Sequence, residues 1–243
     1  TYESDRSKSR IIWFCSRSGP IEKHVMARNS RLTALDSLRG FGILLVVLGH
    51  ASRSVGLASW IFSFHMPLFF IISGMLFHEK QFLDSFKKKA ARLLIPYLFF
   101  GIVTFAYWAL IEDALEGGVS GSVTNALTNI FLARAGTGNY PQNAVLWFLP
   151  CLFVTEMLFL GIFTFVKSKR AIRYDWAVAA TLATVSFFSI MVMHSFDLPI
   201  DRLRLPWALD ILPFSTLFYC IGYLLSRLDR KSTRLNSSHV KRS

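Results

Sequence analysis

The chain has 243 residues, 53% of them hydrophobic and 15% aromatic, with 23 Phe, a mean hydropathy of +0.42 and a formal net charge of +12. Soluble domains are about half apolar too, but here the apolar residues fall into blocks of about 19 with the charges pushed into the gaps. That distribution excludes an ordinary globular core and indicates an all-α, polytopic transmembrane helical bundle. The excess of 27 Lys and Arg over 15 Asp and Glu would raise nucleic acid as a partner of a soluble protein. No basic run is interleaved with aromatics as a stacking platform needs, so the expected partner of the positive charge is the lipid bilayer and no nucleic acid. Cys15, Cys151 and Cys220 form no C-x-x-C pair, which argues against a disulfide framework and against a metal site.

Residues 1–33 are basic, poorly patterned and without the apolar core of a secretory signal. Met26 stands directly before ARNSRLTALDSLRG and is the expected natural start, with residues 1–25 non-native. Six spans are predicted next. The first covers 35–57, interrupted by His50 and Arg53; the second covers 60–77. The third, 93–111, is free of charge, and the fourth, 144–166, carries only Glu156. The fifth is 176–193 and the sixth, 207–225, carries Asp210. Trp60, Trp108, Trp147, Trp176 and Trp207 stand near predicted span ends, as an interfacial aromatic belt requires.

The gaps test this layout. Counted along the chain, the 27 Lys and Arg alternate strictly, 23 on one side of the membrane and four on the other. The positive-inside rule then puts both ends of the chain in the cytoplasm. In the longest external gap, Gly117, Gly118, Ser120, Gly121 and Ser122 predict a flexible linker. Val123, Ala126, Leu127, Ile130, Phe131 and Arg134 follow at helical spacing and predict a short amphipathic helix on the outer interface. From about Asp229 the chain reads DRKSTRLNSSHVKRS, polar, basic and without apolar period, like translated adapter sequence. The expected organisation is a basic segment over 1–33, a transmembrane domain over 34–226 and a non-native tail over 227–243.

The informative stretch is RLTALDSLRGFGILLVVLGH, residues 31–50. Arg39 and His50 lie eleven residues apart, about three helical turns, so both project from nearly one face roughly 16 Å apart along the axis. Asp36 sits three residues before Arg39, on an adjoining part of that face. A carboxylate, a guanidinium and an imidazole on one stripe of a membrane helix are a functional-site hypothesis by default.

These residues carry a family resemblance. LDSLRG at 35–40 with the Arg39–His50 spacing, FHMPLFFIISGMLF at 64–77, ARLLIPY at 91–97, WFLPCLFVTEMLF at 147–159 and ALDILPFSTLFYCIGYLL at 208–225 resemble the motifs of membrane-bound acyltransferase family 3. Those are O-acetyltransferases of bacterial surface sugars, and this chain leans toward the fucose 4-O-acetylase-like branch. The resemblance covers about 31–226. Family members usually carry about ten spans, so it implies that this chain is the N-terminal two thirds of a longer protein. It also implies acetyl-CoA as donor substrate, with no tightly bound cofactor. The implied acceptor is a hydroxyl of a surface polysaccharide, lipid-linked glycan or related glycoconjugate, the implied location the bacterial cytoplasmic (inner) membrane, and Arg39 and His50 are implied to be essential.

Acetyl transfer needs a base for the hydroxyl proton and positive charge where the thioester carbonyl becomes an oxyanion. Histidine suits the first task, because an imidazole ordinarily titrates near neutrality. With the first span drawn to residue 57, His50 falls near the bilayer middle and Arg39 at the cytoplasmic edge. Arg39 would then meet the acyl-CoA from inside while His50 awaits the hydroxyl from outside. Each has a plainer alternative: His50 as a buried histidine bonding a carbonyl, Arg39 as a snorkelling anchor. Asp36 is expected to cap the helix or pair with an arginine. Glu156, a lone carboxylate mid-span, should face the bundle interior and pair with Arg39, Arg92 or His50, a protonated structural glutamate being the alternative. His65, placed near the external end of the second span, either orients the acceptor or packs. Ser73 with Gly74 allows close helix approach, a covalent acyl-serine being the alternative. Lys87, Lys88 and Lys89 read as headgroup anchors, and Arg92 as an anchor or a CoA-phosphate ligand. The reading from another class is a polytopic transporter or exporter of a polar or saccharide substrate, though no matching repeated halves are visible.

Overall fold

The computed structural model describes residues 20–79, 81–112, 123–133, 146–169, 175–195 and 205–240. Among these, seven α-helices and two short irregular helical turns account for the secondary structure. They are α1 (Pro20–Ala51), α2 (Val55–Met75), α3 (Phe82–Tyr107) with a π turn at Trp108–Glu112, α4 (Val123–Leu132), α5 (Phe148–Lys169) and α6 (Asp175–Ser195). A 3-10 turn, Pro206–Ile211, leads into α7 (Leu212–Val240). The predicted linker at 117–122, Cys15 and Arg134 lie outside the described residues.

Six of the helical stretches are long and apolar enough to cross a membrane: Thr33–Ala51, Val55–Met75, Phe82–Leu110, Phe148–Val166, Trp176–Ser195 and Pro206–Asp229. The shortest, 19 residues, extends about 28 Å at 1.5 Å per residue, close to the thickness of a hydrocarbon core. Their outward faces are apolar. Phe41, Leu44 and Val47 on α1, Phe99 and Ile102 on α3, and Phe187 and Phe188 on α6 are all exposed. Water would penalise such faces heavily, whereas lipid tails accept them. The all-α membrane bundle expected from the sequence is the fold observed.

The span boundaries differ at three places, each for a local reason. The first span does not run to residue 57. α1 stops at Ala51, and the Ser54 amide donates to Ser52 Oγ at 3.1 Å, which turns the chain. Ser54 Oγ then accepts from the Leu57 amide at 3.5 Å, capping the start of α2. Two serines around Arg53 thus satisfy main-chain groups that a helix end leaves orphaned. α3 begins eleven residues before the charge-free block and carries Lys87, Lys88, Lys89 and Arg92 within its helix. α1 begins at Pro20 and α7 continues to Val240, through segments read as unpatterned. No Gly or Pro stands between Ile21 and Arg39, nor between Leu224 and Ser243, so nothing local stops either helix. Trp108, Trp147, Trp176 and Trp207 do mark span ends, but Trp60 is the sixth residue of α2.

The chain forms two compact units, residues 1–69 and 70–243. In the first, Gly42 faces the Phe69 ring, and Gly49 faces Ile61 and Phe62, so α1 and the start of α2 run antiparallel. In the second, Phe77, Phe159, Phe163, Tyr219 and Tyr223 form an aromatic core. The Phe77 ring meets those of Phe159 and Tyr223 edge-on at centroid distances of 4.9 and 5.6 Å. The predicted amphipathic helix is α4, tied to α3 by the Tyr97 hydroxyl, which donates to the Ile130 carbonyl at 2.5 Å. Ile130 is buried by this contact while Phe131 faces outward.

Candidate active site

Within the first unit, α1 carries Asp36, Arg39 and His50, and α2 brings Phe62 against His50 with His65 on the far side of that ring. Arg39 Nη1 donates to Asp36 Oδ1 at 3.3 Å, an i,i+3 pair with side chains 40% and 70% exposed. At that exposure the pair contributes little to stability, and its effect is to hold the guanidinium in place. Asp36 does not cap the helix, because α1 begins sixteen residues earlier; of the two expected roles, pairing is the one observed.

His50 occupies the last turn of α1, not the middle of a span. Arg39 lies about 9 Å into Thr33–Ala51 and His50 about 26 Å in, close to its far end. The His50 ring packs against Phe62 at 4.9 Å between centroids and a 45° tilt. The other face of that problem is His65. It is the eleventh of the 21 residues of α2, about 15 Å from either end, so the histidine at mid-span is His65 and not His50. This reverses the depths read from sequence, and the cause is the turn at 52–54. The His65 ring lies 5.3 Å from Phe62, and its Nδ1–H donates to the Ile61 carbonyl at 2.9 Å. Its Nε2 is buried with no hydrogen-bond partner among the described residues.

The second unit holds the remaining candidates. Glu156 is 9% exposed and pairs with Lys89, Nζ to Oε2 at 2.6 Å. The partners expected from sequence were Arg39, Arg92 or His50; the ion pair goes instead to a lysine read as a headgroup anchor. Hydropathy starts the third span at residue 93 and leaves Lys89 in a loop, whereas α3 begins at Phe82 and carries Lys89 within the helix. Arg92 is exposed on α3 and Ser73 is half-buried in the last turn of α2. Thr155 and Ser215 share a buried hydroxyl bond of 2.7 Å between α5 and α7. Tyr219 Oη and Thr216 Oγ1 are buried nearby on α7 without partners among the described residues. None of these hydroxyls was singled out in the sequence, since each sits inside an apolar run with no spacing signal. Asp210 belongs to the 3-10 turn at the start of the sixth span, where Trp207 and Ala208 adopt positive φ of 58° and 52°. Such backbone costs about 1–2 kcal/mol per residue and holds the Trp207 ring 6.3 Å from Phe153. Among the described residues no group of three or more His, Cys, Asp or Glu is assembled to hold a metal ion.

Comparison with known proteins places the chain in a family. Residues 32–241 match a family described as "Acyltransferase domain". Two relatives carry the name Nodulation protein NolL. The one from Mesorhizobium japonicum is 27% identical over 217 residues, 82% of this chain and 49% of its own length. The one from Sinorhizobium fredii is 27% identical over 216 residues, with 82% and 50% coverage. The chain therefore spans about half the length of the curated relatives it matches. No solved structure matches it significantly. With six membrane-length helices inside a match that takes in most of the sequence, the chain belongs to membrane acyltransferase family 3.

Proposed function

We propose that the protein moves an acetyl group from acetyl-CoA to a hydroxyl of a surface carbohydrate, with His50 as the base. The observation that carries this is the placement of Arg39 and His50 three turns apart on one membrane helix, the imidazole seated on Phe62, in a chain of this family. His50 takes the proton of the attacking hydroxyl, whose oxygen bonds to the thioester carbonyl carbon. The carbon–sulfur bond then breaks, and the thiolate leaves and is protonated. In this reading both chain ends face the cytoplasm of the bacterial inner membrane, so His50 lies near the outer rim and meets the acceptor there. Arg39 lies deeper toward the inside, in a position to receive the phosphates of acyl-CoA while the long flexible arm carries the thioester toward His50. Arg92, exposed on the basic end of α3, is by its own charge a further candidate ligand for acyl-CoA phosphate, and residues 34–226 are the acyltransferase portion. Asp36 positions Arg39; Glu156 with Lys89 holds the bundle together, and Ser73 serves helix packing.

The test uses full-length protein in proteoliposomes with labelled acetyl-CoA and a glycan acceptor. Wild-type protein transfers label to the glycan, and His50→Ala lowers transfer by about 100-fold or more, 100-fold being the lower limit of the general-base range. Label transfer untouched by His50→Ala refutes the assignment. Saccharide uptake without acetylated product refutes the reaction class.

A further inference from the structure

His65 is a polar side chain placed where polarity is hardest to sustain, at the midpoint of a 21-residue membrane-length helix and 3% exposed. Its Nδ1 faces a carbonyl, which only accepts, so Nδ1 carries the hydrogen. An imidazolium buried at that depth is disfavoured, so the ring is the neutral Nδ1–H tautomer and Nε2 is a bare lone pair. That lone pair is buried and has no partner among the described residues. A leucine or phenylalanine at this position would pack without leaving an acceptor unmatched. The ring stands across Phe62 from His50, one phenyl group flanked by two imidazoles at centroid distances of 4.9 and 5.3 Å.

We propose that His65 is a substrate-binding residue of the acyl-transfer site, its Nε2 accepting a hydrogen bond from an O–H or N–H group of a substrate held beside Phe62. The proposal rests on the acyl-transfer reading above. The ligand chemistry is a neutral hydrogen-bond donor, supplied either by a sugar hydroxyl or by an amide N–H of the acyl-CoA arm. The Ile61 carbonyl has a structural part: by fixing the tautomer it makes Nε2 an acceptor and not a donor, so the site selects groups that donate.

Two substitutions separate this from a packing role. Asparagine retains a donor where Nδ1 stands and lacks an acceptor at Nε2; glutamine carries an oxygen near the Nε2 position. In full-length protein, His65→Asn lowers kcat/KM by about tenfold or more and His65→Gln restores most of it. A raised KM for acyl-CoA assigns the donor arm, and a raised KM for the acceptor assigns the sugar. Equal activity of wild type, His65→Asn and His65→Gln overturns the proposal, as does equal loss in both variants in step with lost folded protein. A measurement on wild type covers the case in which neither variant folds. In 15N-histidine NMR, the bare Nε2 resonance of His65 shifts on adding one substrate, and a resonance indifferent to both overturns the assignment. Failure of the acyl-transfer reading shows separately, as absence of transfer by wild-type protein.

Discussion

α2 and α7 touch where two glycines interleave, and Gly222→Ala measures how tightly. A Cβ on Gly222 would lie 2.0 Å from the Ile71 carbonyl oxygen, 2.7 Å from its carbonyl carbon and 2.9 Å from its Cα. Gly74 is the mirror case, its Cβ falling 2.0 Å from the Tyr219 oxygen and 3.0 Å from the Tyr223 nitrogen. Carbon meets carbonyl oxygen comfortably at about 3.3 Å, so the helices must part by roughly 1.3 Å to admit one methyl group. Every obstructing atom is main chain, so no side chain can rotate away. Overpacking of this kind costs about 1–3 kcal/mol, and main-chain obstruction puts it at the upper end. Replacing a helical glycine by alanine returns about 1 kcal/mol through propensity, leaving a net destabilisation of about 2 kcal/mol. For a protein of this size that lowers Tm by about 4–8 °C. Thermal unfolding in detergent micelles reads the shift, with Gly56→Ala as control because nothing lies within 4 Å of its Cβ. Once Gly222→Ala has opened the gap, adding Gly74→Ala costs little more, since both methyl groups enter one interface. A Gly222→Ala protein that unfolds at or above the temperature of the control refutes the close approach.

Other outcomes follow from individual contacts. Removing only the carboxylate with Glu156→Leu leaves Lys89 unpaired and destabilises by about 3 kcal/mol, while the double variant with Lys89→Met recovers most of it in a double-mutant cycle. Tyr97→Phe loses the bond to the Ile130 carbonyl, about 1 kcal/mol, and speeds hydrogen exchange in α4 more than in α3. A methyl group on Gly49 falls 2.7 Å from Phe62 Cε1, a ring that can tilt, so Gly49→Ala lowers transfer several-fold by shifting Phe62 off His50 while changing Tm little. Should Gly49→Ala reduce activity only in proportion to folded protein, Phe62 does not position His50.

The distribution of charge and apolar residues was enough to read helices, their number and their order. A 19-residue apolar stretch must bond its backbone internally in lipid, and helix is the local solution. The family motifs were legible for the same reason, being contiguous: LDSLRG, the Arg39–His50 spacing and the 147–159 segment need no partner to be recognised. For Asp36 the sequence left capping or pairing with an arginine open, and the helix start at Pro20 decided for the pair with Arg39. Hydropathy averages over many residues, however, and so read through the turn at Ser52–Ser54, where side-chain oxygens bond single amides. That turn moved His50 to a helix end and His65 to mid-span. The Lys89–Glu156 pair joins residues far apart in sequence, and no periodicity within either helix encodes which cation reaches a buried carboxylate. Length and hydrophobicity are properties of a segment; depth, ion pairing and an unmatched lone pair are properties of neighbours, and only the packed helices supply those.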